Sequence, residues 1–325
     1  MRGPAAALKS DPSGGETGGA LVALHELRLR EGDELAAAVA SRTANKIGAR
    51  VMIIKGLSLE FHKLRGEHVS GDVDVYVEDR SRAEDLIAAL AEHGWRRRPV
   101  VLGERRTTTH SATLIRSGWP NDIDVHWEYP GLPTVDGAVF DLLWSSRAAA
   151  QIAGLRCWVP DKASSIIIWA LHSLRGAGRQ PRHRLELMQL VNDVLIALDR
   201  YERVSLGSRI VELKADRALL EVPELAELIG DRASAIDEES WAYWRQKLAH
   251  GREASPWLQV LRDAPKWKWP WLAWRAAWPS AHDMRLLDEA LVDTAVGRVQ
   301  SRLRRVGRLA NRIREHRATP RRRGL

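Results

Sequence analysis

Cysteine is nearly absent from this sequence, since its 325 residues include only Cys157. One cysteine cannot form an internal disulfide or a multi-thiolate metal site, which excludes a secreted disulfide scaffold and favours a reducing compartment. Long apolar runs are also absent, because none approaches the ~18 residues that a membrane span needs. With 45% hydrophobic and 28% charged residues, the sequence predicts a cytoplasmic protein with a packed core and no membrane span.

Excess positive charge is absent from most of the chain, although the formal net charge is +8. Residues 298–325 contain eleven arginines and one glutamate, which leaves 39 basic against 41 acidic side chains in residues 1–297. Apolar residues in this tail recur every three or four positions, as on one face of a helix. The tail is predicted either to pack on the body or to bind a polyanionic partner, such as RNA, an anionic membrane surface or an acidic peptide.

Secondary-structure signals change near Pro160. Short β-branched runs alternate with helical patterns before this residue, and long amphipathic helical patterns follow it. The sequence therefore predicts the α+β class, with a mixed β-sheet and flanking helices followed by an all-helical C-terminal domain. The predicted boundaries are a flexible leader over 1–20, the α+β domain over 21–158, the helical domain over 159–292, and a basic amphipathic helix and tail over 293–325.

Local signals predict where several helices begin and what they bury. Gly32 is expected to separate two helices and Asp33 to cap the second, while Ser81, with a glutamate three residues on, has the pattern of a capping box. Trp271, Trp274 and Trp278 have the spacing of one helix face. We expect these tryptophans to form a buried stripe, and an aromatic platform for nucleic-acid bases is the alternative.

Two predicted strands carry aspartates at alternate positions, Asp72 and Asp74 in the first and Asp122 and Asp124 in the second. Alternate residues of a strand share a face, so each pair clusters its acids, and His126 has the same parity as Asp124. Clustered carboxylates repel each other unless cations compensate them, and Mg²⁺ prefers oxygen ligands. The pattern predicts a site for two-metal phosphoryl-type transfer, whereas solvent-facing strand acids would explain either motif alone.

The segments that carry these acids resemble a known superfamily. They are Ile53-Ile54-Lys55-Gly56, Gly71-Asp72-Val73-Asp74-Val75-Tyr76-Val77 and Asp122-Ile123-Asp124-Val125-His126-Trp127. Their order resembles the DNA polymerase β-type nucleotidyltransferases and, more narrowly, a bacterial family of uncharacterised nucleotidyltransferases with a Lys-Gly turn, an Asp-x-Asp strand and a later Asp-x-His-Trp strand. The resemblance extends over most of residues 21–310 and implies a nucleotidyltransferase-like sheet.

The resemblance also implies roles for individual residues. Asp72 and Asp74 would bind the metals, which are Mg²⁺ with Mn²⁺ as a substitute, and Asp124 would complete the site and help to activate the acceptor. Gly56 would bring backbone amides close to the triphosphate of an NTP, expected to be ATP. The superfamily places serine directly after this glycine, whereas here Ser58 comes one residue later, and its assignment to phosphate binding departs from the pattern.

Basic residues near the motifs are further candidates for the nucleotide. Lys55, Arg65 and His68 are assigned to phosphate binding, and a structural or solvated role is the alternative for each. His126 is expected to be either a base or substrate contact, or a hydrogen-bonded and partly buried histidine.

The helical domain supplies two more candidates. Asp193 is expected either to face the cleft or to cap a helix or pair with Arg182 or Arg184. His172 is expected to be a satisfied core residue, because its helix is otherwise apolar.

Together, these patterns and the resemblance predict an Mg²⁺-dependent enzyme that moves a nucleoside monophosphate from an NTP to a hydroxyl of a small-molecule or peptide acceptor. The alternative is a non-catalytic binding protein of the same fold, recruited to a polyanionic partner through the basic C-terminal helix. The missing Gly-Ser pair favours this alternative, and the three retained acids argue against it.

Overall fold

The computed structural model describes residues 28–66, 70–98, 110–133, 138–177, 181–230 and 264–277, together with residues 238, 240–242, 244, 245 and 248. The predicted leader and the basic C-terminal tail lie outside these ranges. Among the helices that are described, none is long and apolar enough to cross a membrane.

A five-stranded mixed sheet lies at the centre of the first part of the chain. Its strands are β1 (Val51–Ile54), β2 (Asp72–Val77), β3 (Arg96–Arg97), β4 (Ser111–Ile115) and β5 (Asp122–His126), in the spatial order β1-β2-β5-β4-β3. The central strands β2 and β5 run parallel, and the other neighbours are antiparallel. A separate hairpin of β6 (Ala148–Ile152) and β7 (Leu155–Val159) was not predicted.

Helices flank the sheet and then continue without further strands in the described part of the chain. The helices of the first part are α1 (Leu29–Lys46), α2 (Gly56–Phe61), α3 (Arg80–Ala91) and α4 (Ala138–Ser145). Those that follow β7 are α5 (Lys162–Ala177), α6 (Pro181–Gln189), a π-helix (Leu190–Leu195), α7 (Arg200–Glu212), α8 (Asp216–Leu219), α9 (Pro223–Ile229), a 3₁₀ turn (Lys266–Lys268) and α10 (Trp269–Ala277). The predicted α+β class, with a mixed sheet and flanking helices followed by helices, is confirmed.

The two faces of the sheet belong to different hydrophobic cores. Val73 and Val75 of β2 pack with α1, α3 and the β6-β7 hairpin, in a core where the helices contribute mainly alanine and leucine. Tyr76 points to the opposite face and packs with the core of the helical part of the chain. The period of two in β2 thus buries valines on one side, each contributing about 1.5–3 kcal/mol, and directs Asp72 and Asp74 towards the helices.

The predicted break and cap at the start of α1 are wrong. One helix runs from Leu29 to Lys46 and passes through Gly32. A Cβ at Gly32 would lie 1.9 Å from Asn121 Oδ1, so the glycine allows the loop before β5 to approach the helix backbone. Asp33 lies inside the helix and is 2% exposed, and its side chain serves the carboxylate site described below.

Two other local predictions are also wrong. The cap of α3 is Asp79, whose side chain accepts a hydrogen bond from the Arg82 backbone N–H at 2.8 Å, and not Ser81. Trp271 and Trp274 do not form a buried stripe, since they are 54% and 57% exposed on α10. The helical spacing was correct, but this face of α10 is not covered by the core; Trp278 lies outside the described residues.

Candidate active site

Four aspartates lie side by side on the face of the sheet that meets the helices. In the parallel pair of β2 and β5, Asp72 is opposite Asp122 and Asp74 is opposite Asp124. Residues opposite each other on neighbouring strands point to the same face. The register therefore joins the two predicted acid clusters into one array of four carboxylates.

Asp74 is the most enclosed of these acids, at 6% exposure. Its Oδ1 atom forms an ion pair with Lys55 Nζ and a hydrogen bond of 2.9 Å with His126 Nε2. Burial alone would raise the pKa of Asp74, but the Lys55 ammonium and the His126 hydrogen bond outweigh it, so the pKa is lowered well below its usual range. Burial would likewise lower the pKa of Lys55, and the Asp74 carboxylate reverses this shift and raises it.

The backbone of Lys55 is in an unusual conformation. Its φ of 58° and ψ of −133° lie in a region that residues with a Cβ rarely adopt. Such a conformation costs about 1–3 kcal/mol and persists where the surrounding structure enforces it. Ile54, the last residue of β1, pairs with Asp74 of the neighbouring strand β2. The turn that follows Ile54 therefore places the Lys55 side chain beside Asp74.

Asp72 is supported by a buried polar network that the sequence did not reveal. Ser70 Oγ donates a hydrogen bond of 2.8 Å to Asp72, and the Ser70 backbone N–H donates one of 3.1 Å to Asp33. Asn121 Nδ2 donates to Asp33 Oδ1 at 2.8 Å and to the Ser70 carbonyl at 2.7 Å. Asp33 and Asn121 thus fix the loops that lead into β2 and β5.

Burial shifts the titration of the acids in this network. It raises the pKa of Asp33 to about 7. It also raises the pKa of Asp72, and the neighbouring Asp74 carboxylate adds to the effect. Asp122 pairs with Arg98, yet burial still raises its pKa. The array therefore holds acids whose charges are not fully compensated by the protein.

Asp124 has the feature expected of a metal ligand. Its Oδ1 atom is buried and has no hydrogen-bond partner. Single ligand atoms of Asp74, Asp124 and His126 lie within 4.8 Å of one another. Mg²⁺ prefers oxygen ligands, so the carboxylates of Asp72, Asp74 and Asp124 are of the right chemical type to bind it.

A cleft of about 410 Å³ lies in front of the array, between the sheet and the helices. The sheet side contributes, among others, Asp72, Asp74 and Lys55. Its other walls include cationic and imidazole side chains, namely Arg65, His172 and Arg182. A ligand in this cleft would contact both parts of the chain.

The structure brings some predicted site residues to this cleft and not others. Gly56 and Arg65 line it. Ser58 does not, because it is fully buried and its Oγ lies 2.9 Å from Ser165 Oγ. Asp193 is exposed on the π-helix and lines an adjoining groove instead. His68 lies outside the described residues.

The sequence left two roles open for His126 and placed His172 in the core. His126 is 3% exposed and bonds Asp74, which agrees with the hydrogen-bonded buried alternative. His172 was expected in the core but lines the cleft. The apolar sequence around it could not show that His172 lies beside His183 of the next helix, α6, at the cleft.

No protein-family profile and no curated protein matches the chain. Some solved structures do. The lincomycin-bound lincosamide antibiotic adenylyltransferase LnuA is 12% identical with a TM-score of 0.33, and the match covers 49% of this chain and 95% of LnuA. MenT4, a nucleotidyltransferase toxin from Mycobacterium tuberculosis, is 10% identical with a TM-score of 0.36, and the match covers 80% of this chain and 97% of MenT4.

An antigenic nucleotidyltransferase-like protein from Paracoccidioides brasiliensis is 16% identical with a TM-score of 0.38, over 66% of this chain and 96% of that protein. Likeness at these TM-scores carries no functional argument.

Proposed function

We propose that the protein is an Mg²⁺-dependent nucleotidyltransferase that moves a nucleoside monophosphate from ATP to a hydroxyl of a small-molecule or peptide acceptor. The observation that carries this proposal is the register of β2 and β5, which gathers Asp72, Asp74 and Asp124 on one face of the sheet. Asp72 and Asp74 line the cleft, and the buried Oδ1 atom of Asp124 has no hydrogen-bond partner. The resemblance of the three motif segments to nucleotidyltransferases supports the same reaction.

The three aspartates would hold Mg²⁺, which would supply charge neutralisation and alignment of the acceptor hydroxyl, the α-phosphoryl group and the pyrophosphate. The acceptor oxygen forms a bond to the α-phosphorus while the bond from that phosphorus to the β-bridging oxygen breaks. The hydroxyl proton would pass to the Asp124 carboxylate, at the oxygen that does not hold the ion. Pyrophosphate is the leaving group.

Basic groups at the cleft bind the triphosphate. Lys55 keeps Asp74 compensated and, from the cleft wall, offers its ammonium to phosphate oxygens. Arg65 and Arg182 add guanidinium groups on the other walls, and these suit bidentate contacts to phosphate. Gly56 leaves open space where a Cβ would stand, which allows the phosphates to approach the start of α2.

The test uses ATP labelled at either the α- or the γ-phosphate, with Mg²⁺, the full chain and a fractionated cell extract. We expect the α-label in an acceptor and the γ-label in pyrophosphate. Asp124→Asn should reduce transfer by about 10²–10⁴-fold, the range for loss of a general base. Asp122→Asn changes the neighbouring array member that lines the cleft and pairs with Arg98, and it should lose less transfer than Asp124→Asn. Asp85→Asn, at an exposed aspartate of α3, is the control and should retain transfer.

Failure to move the α-label, with either Mg²⁺ or Mn²⁺, would refute the proposal. If ATP still bound under those conditions, the non-catalytic binding protein would be the better description. If Asp122→Asn and Asp124→Asn lost transfer equally, the four-aspartate array would still be needed, but the specific role of Asp124 would be contradicted.

A further inference from the structure

A second group of metal-binding side chains lies across the cleft from the aspartates. His172 belongs to α5, and His183 and Glu186 belong to α6. One ligand atom from each residue lies within 4.8 Å of those of the other two. His183 Nδ1 is 3.1 Å from Glu186 Oε2, and the ring centroids of His172 and His183 are 4.6 Å apart.

The helices explain why these three side chains meet. Residues three apart on a helix lie on the same face, so His183 and Glu186 are neighbours on α6. α5 and α6 pack against each other, and His172 faces that pair from the adjacent helix. A tetrahedral ion with bonds of about 2.0–2.1 Å needs its ligand atoms roughly 3.3 Å apart, a separation that small side-chain rotations from the observed arrangement would reach.

The chemistry of the group differs from that of the aspartate array. Two imidazoles and one carboxylate suit Zn²⁺ and related ions, whereas carboxylates alone suit Mg²⁺. Burial lowers the pKa of both histidines, and Lys55 and Arg175 lower that of His172 further.

Existing partners do not saturate these groups. Arg175 Nη2 lies 3.5 Å from His172 Nδ1, and Arg65 Nη2 lies 3.8 Å from Glu186 Oε1. Both separations are long for hydrogen bonds. His172 and Glu186 line the cleft, while His183 is 5% exposed behind them. Three protein ligands with one side open to a cleft is the arrangement of a metal site that keeps a free coordination position.

We propose that His172, His183 and Glu186 form a binding site for a transition-metal cation such as Zn²⁺ on the helical wall of the cleft, with a free position that faces the cleft. This site does not depend on nucleotidyl transfer. If that transfer also occurs, a cation here would add positive charge next to Arg65 and Arg182, opposite the aspartates.

Cobalt is a suitable probe because four-coordinate Co²⁺ absorbs strongly in the visible range, whereas six-coordinate Co²⁺ absorbs weakly. The full chain, without a histidine tag and freed of metal by a chelator, is titrated with Co²⁺ in the absence of nucleotide. We expect a saturable visible band that Zn²⁺ removes and excess Mg²⁺ does not. Glu186→Gln and His183→Gln should weaken Co²⁺ binding at least about 100-fold, the upper end of the loss from changes around a metal ligand.

Matched controls locate the ion. His93→Gln removes an exposed histidine outside the cluster, and Asp124→Asn alters the aspartate array; both should keep the band. Circular dichroism of the metal-free protein shows whether each variant folds. Glu186→Gln changes a partly exposed side chain, so it tests the site even if His183→Gln does not fold. Absence of the band, its persistence in Glu186→Gln, or its loss in Asp124→Asn would overturn the proposal.

Discussion

Replacing Lys55 by methionine should destabilise the protein through Asp74. The lysine and aspartate side chains are 12% and 7% exposed, so the variant leaves a carboxylate in a place that water hardly reaches. Removing one member of a buried ion pair costs about 3–5 kcal/mol. His126 still bonds the same oxygen and offsets part of this loss, so we expect a decrease of about 2–4 kcal/mol in the free energy of unfolding at pH 8.

The effect should depend on pH in a defined direction. In the parent, the lowered pKa of Asp74 gives stability that is present above about pH 4 and is lost as the pH falls through the lowered pKa. In the Lys55→Met variant, burial raises that pKa, so stability falls as the pH rises above about 4. The difference between parent and variant should therefore be smaller at pH 4 than at pH 8.

Urea unfolding of Lys55→Met, Asp74→Asn and the double variant, followed by circular dichroism at both pH values, measures the coupling between the two residues. The double variant buries no unpaired charge at these positions, so it should recover much of the loss, with a coupling of at least about 2 kcal/mol at pH 8. Effects that add to within about 0.5 kcal/mol would refute the view that Lys55 compensates Asp74. Asp74→Asn alone should also destabilise, because it leaves the Lys55 ammonium unpaired.

Three further outcomes are expected. Asp72→Asn should stabilise the folded protein by about 0.5–2 kcal/mol at pH 8 and by less at pH 4, because burial raises the pKa of Asp72 and its charge therefore costs stability. The same variant should weaken Mg²⁺-ATP binding. Unchanged stability in thermal melts would contradict this expectation. Lys55→Gly should be more stable than Lys55→Ala by about 1 kcal/mol if the positive φ is strained, and calorimetric equality would disprove the strain. Gly32→Ala should cost about 1–3 kcal/mol by striking Asn121, whereas the control Gly66→Ala, with open space around its Cβ, should be nearly neutral in the same melts.

The sequence by itself determined strands β1, β2 and β5, and the aspartates that alternate along β2 and β5, but it did not predict the β6-β7 hairpin. The alternation in Asp72–Val77 is a local property, because successive side chains of a strand point to opposite faces. The alternating aspartates of β5 follow from the same rule. The α+β class was predictable for a similar reason, since the spacing of apolar residues changes from short β-branched runs to the period of amphipathic helices.

The helix boundaries were less predictable where a local signal had two physical explanations. A glycine followed by an aspartate suits a helix start, but in α1 the glycine makes room for Asn121 and the aspartate accepts hydrogen bonds from distant loops. The tryptophan spacing on α10 correctly indicates one helix face, yet spacing does not say whether anything packs against that face.

Tertiary structure alone decided how the cleft is built. The pairing of β2 with β5 sets Asp74 beside Asp124, and this depends on strand order and register rather than on either strand's own pattern. The contacts of Asp74 with Lys55 and His126 join residues up to 52 positions apart, and His172 meets His183 and Glu186 only because α5 packs on α6. A charge or a ligand acts through distance in space, and chain separation carries little information about that distance until the fold fixes it.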